Sequence, residues 1–214
     1  MIEPNYPIYL TPPCTDSIRQ HILTGELGAI ATPAQGNRID RTWPAWCADN
    51  GVFTGAYPGD DEYLRWLARL QPLADRCLFV TAPDVVGDHW QTLARSRDML
   101  PRIRELGFPA AFVAQNYMEF DSWHPWDDID ALFLGGSTEW KLSAEAANIA
   151  SVAASLGIWV HMGRVNSRRR YQYAAAIGCH SVDGTYLTYA PDANLPNVLS
   201  WSRETAAQTT LFWI

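Results

Sequence analysis

The sequence has few cysteines, a single lysine and no long apolar run, and each shortage argues against a class of protein. None of the four cysteines forms a CxxC pair and all are far apart, so we expect neither a disulfide framework nor a cysteine zinc site. No apolar run approaches about 18 residues, and the N-terminal residues lack a basic stretch followed by an apolar one. These features predict an intracellular, cytoplasmic protein with no membrane partner.

Several sequence signatures of cofactor and metal enzymes are also missing. There is no GxGxxG, no Walker A sequence and no HExxH, so nucleotide-cofactor and zinc-protease functions lack their usual basis. Lys141 is the only lysine and lies beyond a predicted strand end, which argues against a Schiff-base aldolase. A net charge of −7 argues against a protein that coats nucleic acid nonspecifically, although one local basic patch could still bind it.

What the sequence does contain is a repeated pattern of short apolar runs that end in a polar residue or in glycine. Strands are predicted at 6–10, 27–32, from 46, and at 78–82, 110–115, 131–134, 158–162 and 180–183. The segments between most of them have helical spacing, which predicts repeated βαβ units and a parallel sheet. We therefore predict one α/β domain over residues 1–214, a compact and possibly irregular (β/α)8 TIM-type barrel. A doubly wound open sheet is the alternative.

The predicted helices have recognisable ends. Thr15 to Ser17, Asp60 and Ser143 can cap helices, and a helix over 88–106 should be kinked or restarted at Pro101. The helix after Ser143 should bury Ile149, Val152, Ala153 and Leu156, and two further helices are expected over 167–177 and 196–208. The Trp-, His- and Asp-rich segment 120–129 is either a lid over the strand ends or a packed surface loop.

Three carboxylates stand directly after predicted strands: Asp49, Asp84 and Asp183. In a parallel α/β fold these positions share one rim, so the three acids should be neighbours in space. Each could simply cap the next helix. Together, and beside Gln115 and Gly135-Gly136, they suit a nucleophile with an acid/base partner, or recognition of ligand N–H groups.

The only concentrated positive charge is formed by Arg164, Arg168, Arg169 and Arg170. A solvated helix face and a phosphate-binding site near a helix N-terminus are both consistent with this pattern. His161 lies inside an apolar strand, and we interpret it as a hydrogen-bonded core residue, not as a catalyst.

The strand ends also resemble a known family. Ala48-Asp49-Asn50-Gly51-Val52-Phe53 is similar to the Ser/Thr-Asp-Ser-Gly-Gly-Phe/Tyr motif of the tRNA-guanine transglycosylase superfamily. Short counterparts of its other motifs follow in the same order within residues 46–187: Pro83-Asp84, Ala114-Gln115, Leu134-Gly135-Gly136, His161-Met162-Gly163 and Gly178 to Asp183. The Ser-Val-Asp-Gly-Thr form resembles more closely the phage and bacterial branch that replaces guanine in DNA with a 7-deazaguanine base such as 7-cyano-7-deazaguanine.

Two departures from the family argue against a tRNA substrate. The cysteine and histidine segment that binds zinc in the tRNA enzymes has no counterpart in this sequence. The Pro-Thr-Arg that follows their nucleophile is replaced by Thr185-Tyr186-Leu187.

The resemblance implies a role for each matching residue. Asp183 would be the nucleophile, Asp49 the acid/base, and Asp84 the acceptor for guanine N1–H and its exocyclic amine. Gln115, with Gly135 and the Gly136 N–H, would contact the other base edge. Phe53 would face Met162 and Gly163 across a stacking slot. The arginines at 164 and 168–170 would hold phosphates.

The implied partners are DNA, guanine and the free 7-deazaguanine base, with no cofactor and no metal. Three other functions remain open: a tRNA-directed base exchanger, a noncatalytic base-binding paralogue, and an unrelated barrel glycosidase or aldolase. The sequence also leaves open a homodimer or a helper protein.

Overall fold

Eight parallel strands form a closed barrel in the computed structural model, which describes residues 6–36 and 38–211. Each strand pairs with its neighbour in the chain, and β8 closes the ring on β1, with Ile8 opposite Ser181. The predicted (β/α)8 barrel is therefore confirmed, and the open-sheet alternative is wrong. The strands are β1 Ile8–Thr11, β2 Leu27–Ala31, β3 Trp46–Ala48, β4 Cys77–Thr81, β5 Ala110–Ala114, β6 Ala131–Leu134, β7 Trp159–Met162 and β8 Ser181–Asp183.

The helices surround this barrel, but not between every pair of strands. No helix is present in the described residues between β2 and β3, and only two single 3₁₀ turns lie between β5 and β6, so the barrel is irregular. The helices are α1 Asp16–Leu23, α2 Asp60–Leu70, α3 His89–Ser96, α4 Met99–Glu105, α5 Thr138–Lys141, α6 Ala144–Ser155, α7 Arg168–Ala176 and α8 Pro191–Leu211.

Helix starts follow the predicted capping residues in most cases. The side chains of Thr15 and Ser143, both predicted caps, each accept a hydrogen bond from a backbone N–H in the first turn of α1 and α6, and Ser167 does the same in α7. Pro101 lies in the first turn of α4, and the predicted long helix is indeed divided, at residues 97–98. The segment 120–129 is a packed surface loop, since Ile129 is buried and Trp126 packs on the core.

Three predictions about the helices are wrong. Asp60 is the first residue of α2, and Gly59 precedes it as the cap. Val152 and Leu156 are 46% and 56% exposed, because α6 turns a different face, which includes Ile149 and Ala153, to the barrel. The last helix starts at Pro191, before the predicted residue 196.

Two layers of apolar side chains result from the alternation of residues along each strand. One layer fills the barrel and contains Leu10, Cys47, Phe79, Val113 and Phe133. The other lies between the sheet and the helices and contains every second strand residue, such as Val80, Phe112, Leu132, Val160 and Val182. A strand-end side chain therefore points into the barrel if it lies an even number of residues from a known interior residue, and toward the helices if that number is odd.

The polar strand-end residues continue the interior series. Asp49, Gln115 and Gly135 come two residues after the interior Cys47, Val113 and Phe133. Gly163 and Asp183 come two residues after His161 and Ser181, which hydrogen-bond to each other inside the barrel. These positions converge on the barrel mouth at the carboxyl ends of the strands. No helix among the described residues is long and apolar enough to cross a bilayer.

Candidate active site at the barrel mouth

The three predicted acids come together at the mouth. The Asp49 side chain is partly buried there, and the loss of solvation is the largest cause that raises its pKa from 3.8 to about 7. A hydrogen bond from the Gly51 N–H opposes the rise, whereas the negative charges of Asp183 and Asp84 add to it. The charges of Asp84 and Asp183 therefore both reach Asp49, which agrees with the prediction that the three acids share one rim.

A tight turn holds Asp49 after β3. Its Oδ1 accepts a hydrogen bond from the Gly51 N–H at 2.7 Å, and Asn50 Oδ1 accepts one from the Val52 N–H at 2.7 Å. Gly51 has φ of 80°, a left-handed backbone conformation that glycine adopts without steric cost. The turn fixes the position of Asp49 and directs the Asn50 amide toward Asp84.

Asp84 is almost fully buried, with both carboxylate oxygens already hydrogen-bonded. Asn50 Nδ2 donates to Oδ1 at 3.2 Å, and Gln115 Nε2 donates to Oδ2 at 2.8 Å. Burial nevertheless raises the pKa of Asp84, against the effect of these hydrogen bonds. Each carboxylate oxygen can accept more than one hydrogen bond, so Asp84 keeps the capacity to bind a ligand N–H.

The side-chain amide of Gln115 makes hydrogen bonds through both its nitrogen and its oxygen. Its Nε2 donates to Asp84, and its Oε1 accepts a hydrogen bond from the Gly87 N–H at 2.9 Å. The predicted contact of Gln115 with a ligand edge would have to use the second N–H of the same amide.

Asp183 is held through one oxygen only. His161 Nε2 lies 3.1 Å from Oδ1, and the Arg164 backbone N–H donates to the same oxygen at 3.2 Å. Among the residues that the structure describes, none makes a hydrogen bond to Oδ2. A Cβ on Gly163 would lie 2.7 Å from the Phe133 ring and 3.2 Å from Asp183 Oδ1, so glycine makes room for the carboxylate.

Glycine is also needed directly after Asp183. A Cβ at Gly184 would lie 2.7 Å from Val165 O and 2.8 Å from the Tyr9 hydroxyl, and it would also meet Asn166 Oδ1. We expect Gly184→Ala to lower the free energy of unfolding by about 1–3 kcal/mol, because the backbone beside Asp183 has to shift. Urea denaturation measures this change. An unaltered midpoint would show that the loop has room for a methyl group.

Arg164 crosses the mouth instead of facing outward to a phosphate. It has φ of 63°, and its Nη2 donates to the carbonyl oxygens of Gly135, at 2.5 Å, and Gly136. Its guanidinium carbon lies 4.7 Å from the centre of the Phe53 ring. Since β3 and β7 stand opposite each other in the ring of eight, this contact spans the barrel mouth.

The predicted stacking slot between Phe53 and Met162 is wrong. Met162 follows an interior residue, His161, so it faces the helices, where it is 1% exposed. Phe53 is 60% exposed and has one ring face covered by Arg164. The alternation of side chains along β7 explains why the two residues cannot enclose a ligand together.

The predicted use of the Gly136 N–H is wrong as well. It donates to Ala114 O at 3.1 Å, and the Gly135 N–H donates to the same oxygen at 2.9 Å. A Cβ at Gly135 would lie 2.5 Å from the Val113 side chain, and one at Gly136 would lie 2.5 Å from the Trp140 ring. Both glycines are therefore required by packing, and their N–H groups are already bonded.

The remaining arginines lie on α7, at the edge of the mouth. Arg168 makes an ion pair with Glu204 at 2.6 Å, and Arg170 donates to the Arg164 carbonyl at 3.4 Å. Arg168 and Arg170 thus already have partners within the protein, whereas Arg169 is exposed to solvent.

Two residues that the sequence did not assign to the site also contribute. Asn50 hydrogen-bonds Asp84, and buried Lys141 donates from Nζ to the Gly163 carbonyl oxygen. Burial lowers the pKa of Lys141 to about 7. The one available signal in the sequence for a role of Lys141 was that the chain contains no other lysine. Within the described part of the chain, no group of three His, Cys, Asp or Glu side chains is placed to hold a metal ion.

Comparison with known proteins establishes the fold. Neither a protein-family model nor a curated protein matches this sequence. A chain of the tryptophan synthase complex from Pyrococcus furiosus is similar in structure, with TM-score 0.56 and 12% identity over 96% of this chain and 98% of that one. A mandelate racemase/muconate lactonizing protein from Herpetosiphon aurantiacus matches with TM-score 0.51 and 13% identity, over 84% and 55% of the two chains. At these identities the likeness concerns the barrel alone, a fold that these enzymes share.

Proposed function

We propose that the protein is a base-exchange transglycosylase that replaces guanine in DNA with a 7-deazaguanine base, such as 7-cyano-7-deazaguanine. The observation that carries this proposal is the pair of acids at the mouth. Asp183 is held through one oxygen, and Asp49, on the same rim and within reach of the Asp183 charge, has a pKa raised to about 7. A fixed nucleophile with a neighbouring acid that can gain and lose a proton suits double displacement at a sugar C1′.

The proposed reaction has two steps. Asp183 Oδ2 attacks C1′, the bond from C1′ to guanine N9 breaks, and protonated Asp49 assists by giving its proton to the departing base. The incoming base then loses its N9 proton to Asp49, N9 attacks C1′, and the ester to Asp183 breaks. The two inversions together retain the configuration at C1′. Asp183 is again a free carboxylate and Asp49 is again protonated at the end of the cycle.

Asp84 would select guanine. Guanine offers an N1–H and a 2-amino group to the carboxylate, whereas adenine has neither and would leave a buried acceptor without a partner. Such mismatches typically cost several kcal/mol, which supports discrimination between the purines. The hydrogen bonds from the amides of Asn50 and Gln115 hold the Asp84 carboxylate in one orientation.

Phe53 would stack on the base without Met162. Its ring is exposed and has the Arg164 guanidinium over one face, so an entering base would displace that contact. Base stacking on an aromatic ring is worth about 1–3 kcal/mol. In duplex DNA the target nucleotide must first leave the base stack, because C1′ could not otherwise reach Asp183.

The arginines of α7 would hold phosphates beside the extruded nucleotide. We expect Arg168, Arg169 and Arg170 all changed to Gln to weaken DNA binding and to flatten its salt dependence by about 0.9 per lost phosphate contact. Fluorescence anisotropy of labelled DNA at several salt concentrations measures the slope. Arg76→Gln is the control, since Arg76 directly precedes β4 at the opposite end of the barrel. Equal slopes for the triple variant and the control would reject this role.

A direct assay separates the candidate functions. Purified protein is incubated with isotope-labelled guanine and either duplex DNA or tRNA, and the label in each polymer is counted. Label in DNA supports the proposal, and label in tRNA alone would indicate a tRNA-directed exchanger. Binding of DNA without any exchange would indicate a noncatalytic base-binding protein.

A further inference from the structure

A chain of hydrogen bonds runs through the barrel interior and ends on Asp183. Trp159 Nε1 donates to Ser181 Oγ at 2.8 Å, and Ser181 Oγ lies 2.8 Å from His161 Nδ1. His161 Nε2 in turn lies 3.1 Å from Asp183 Oδ1. His161 and Ser181 are both 0% exposed, so solvent does not compete for these bonds.

The chemistry of the groups gives this chain a direction. An indole N–H can only donate, so Ser181 Oγ must accept from Trp159. The Asp183 carboxylate can only accept, so the proton of a neutral imidazole lies on Nε2, directed at Asp183, and the Ser181 hydroxyl hydrogen is available for His161 Nδ1. Burial lowers the pKa of His161 and so favours a neutral ring. The hydrogen bond and charge of Asp183 act in the opposite direction but are outweighed.

The ring is also fixed by its neighbours. The centre of the His161 ring lies 4.5 Å from that of Phe133 and 5.0 Å from that of Phe79. Both are interior residues of the barrel, so rotation of the imidazole about its side-chain bonds is restricted. The Nε2–H is therefore held in one direction by hydrogen bonds and by packing.

We propose that His161 is a positioning residue, whose neutral Nε2–H fixes Asp183 Oδ1 and leaves Oδ2 directed at the ligand, with Ser181 and Trp159 setting the tautomer. The inference rests on the proposed role of Asp183 as nucleophile. The Arg164 N–H donates to the same oxygen, so both donors leave the other oxygen unoccupied. Because both donors bind Oδ1, the lone pairs of Oδ2 stay available to attack C1′.

The test compares variants that keep or remove the donor. His161→Leu removes it, whereas His161→Gln carries an amide N–H that can reach Asp183. We expect kcat for labelled-guanine exchange into DNA to fall about 100-fold in His161→Leu with little change in KM, because a misplaced nucleophile costs about this much. His161→Gln should recover most of the rate. Equal losses in both variants, or wild-type rates in both, would overturn the proposal.

A second readout does not depend on activity. In the ¹⁵N NMR spectrum of the wild-type protein at pH 7, the His161 imidazole should be a single neutral tautomer with the proton on Nε2. Ser181→Ala should raise the share of the Nδ1–H tautomer, because the Nε2–H form then loses the hydroxyl group that donates to Nδ1. A proton on Nδ1, or a charged ring, in the wild-type protein would overturn the proposal. If the wild-type protein exchanges no guanine but shows the Nε2–H tautomer, the proposed reaction fails and the hydrogen-bond chain stands.

Discussion

Replacing Asp183 by Asn is expected to slow guanine exchange by about 10⁴-fold or more, since an amide cannot form the ester to C1′. The change conserves shape, and the amide oxygen can still accept the hydrogen bonds from His161 and the Arg164 N–H. The fold should therefore persist, and the loss should be in the chemical step. Initial rates of label incorporation into DNA measure it, with circular dichroism to confirm folding.

Asp61→Asn is the matched control for this loss. Asp61 is an exposed carboxylate on α2 whose only described ion pair, to Arg102, spans 3.7 Å. Its removal should leave the rate unchanged. If Asp183→Asn retained more than a tenth of the wild-type rate, Asp183 could not be the nucleophile.

Asp49→Asn should have the second largest effect, and one that depends on pH. Protonated Asp49 is needed when guanine departs, so the wild-type rate of that step should fall as pH rises through about 7. Without a titrating group at this position, the variant should lose about 10²–10⁴-fold in rate and should no longer show that fall. Single-turnover rates between pH 5 and 9 test this. A wild-type profile that is flat across pH 7 would argue against Asp49 as the acid.

The same pKa predicts a change in stability. The pKa of Asp49 is higher in the folded protein, about 7, than its ordinary value of 3.8. The stability it contributes is thus fully present below 3.8 and is lost as pH rises through about 7. At pH 8 Asp49→Asn should be more stable than the wild type, by an amount on the order of 2–4 kcal/mol. Urea denaturation at pH 5 and pH 8 measures the difference, and equal stabilities at pH 8 would contradict it.

Most of the fold could be predicted from the sequence, because each strand is a short apolar run with a distinct end. The same regularity placed Asp49, Asp84 and Asp183 on one rim. It could also have shown that Met162 faces the helices, because side chains alternate along β7 and His161 points inward. The sequence therefore contained the information that rules out a stacking slot formed by Phe53 and Met162, and the prediction did not use it.

Other features depend on tertiary closure and have no local signal. The contact of Arg164 with Phe53 joins segments that follow β7 and β3, which meet only because the barrel closes. The Gly136 N–H is bonded because β6 continues its pairing with β5. The start of α8 was missed for a local reason. Pro191 suits a first helical position, and this signal for the earlier start was not used; Pro196 lies inside the helix.

The most direct measurement is to locate the covalent intermediate. The protein is mixed with guanine-containing DNA, quenched in acid within one turnover, treated with nuclease and protease, and its peptides are analysed by mass spectrometry. We expect a pentosyl ester on Asp183, and no such mass on that peptide in Asp183→Asn. An ester on Asp49 or Asp84, or base exchange with no ester at all, would contradict the proposed assignment of the three acids.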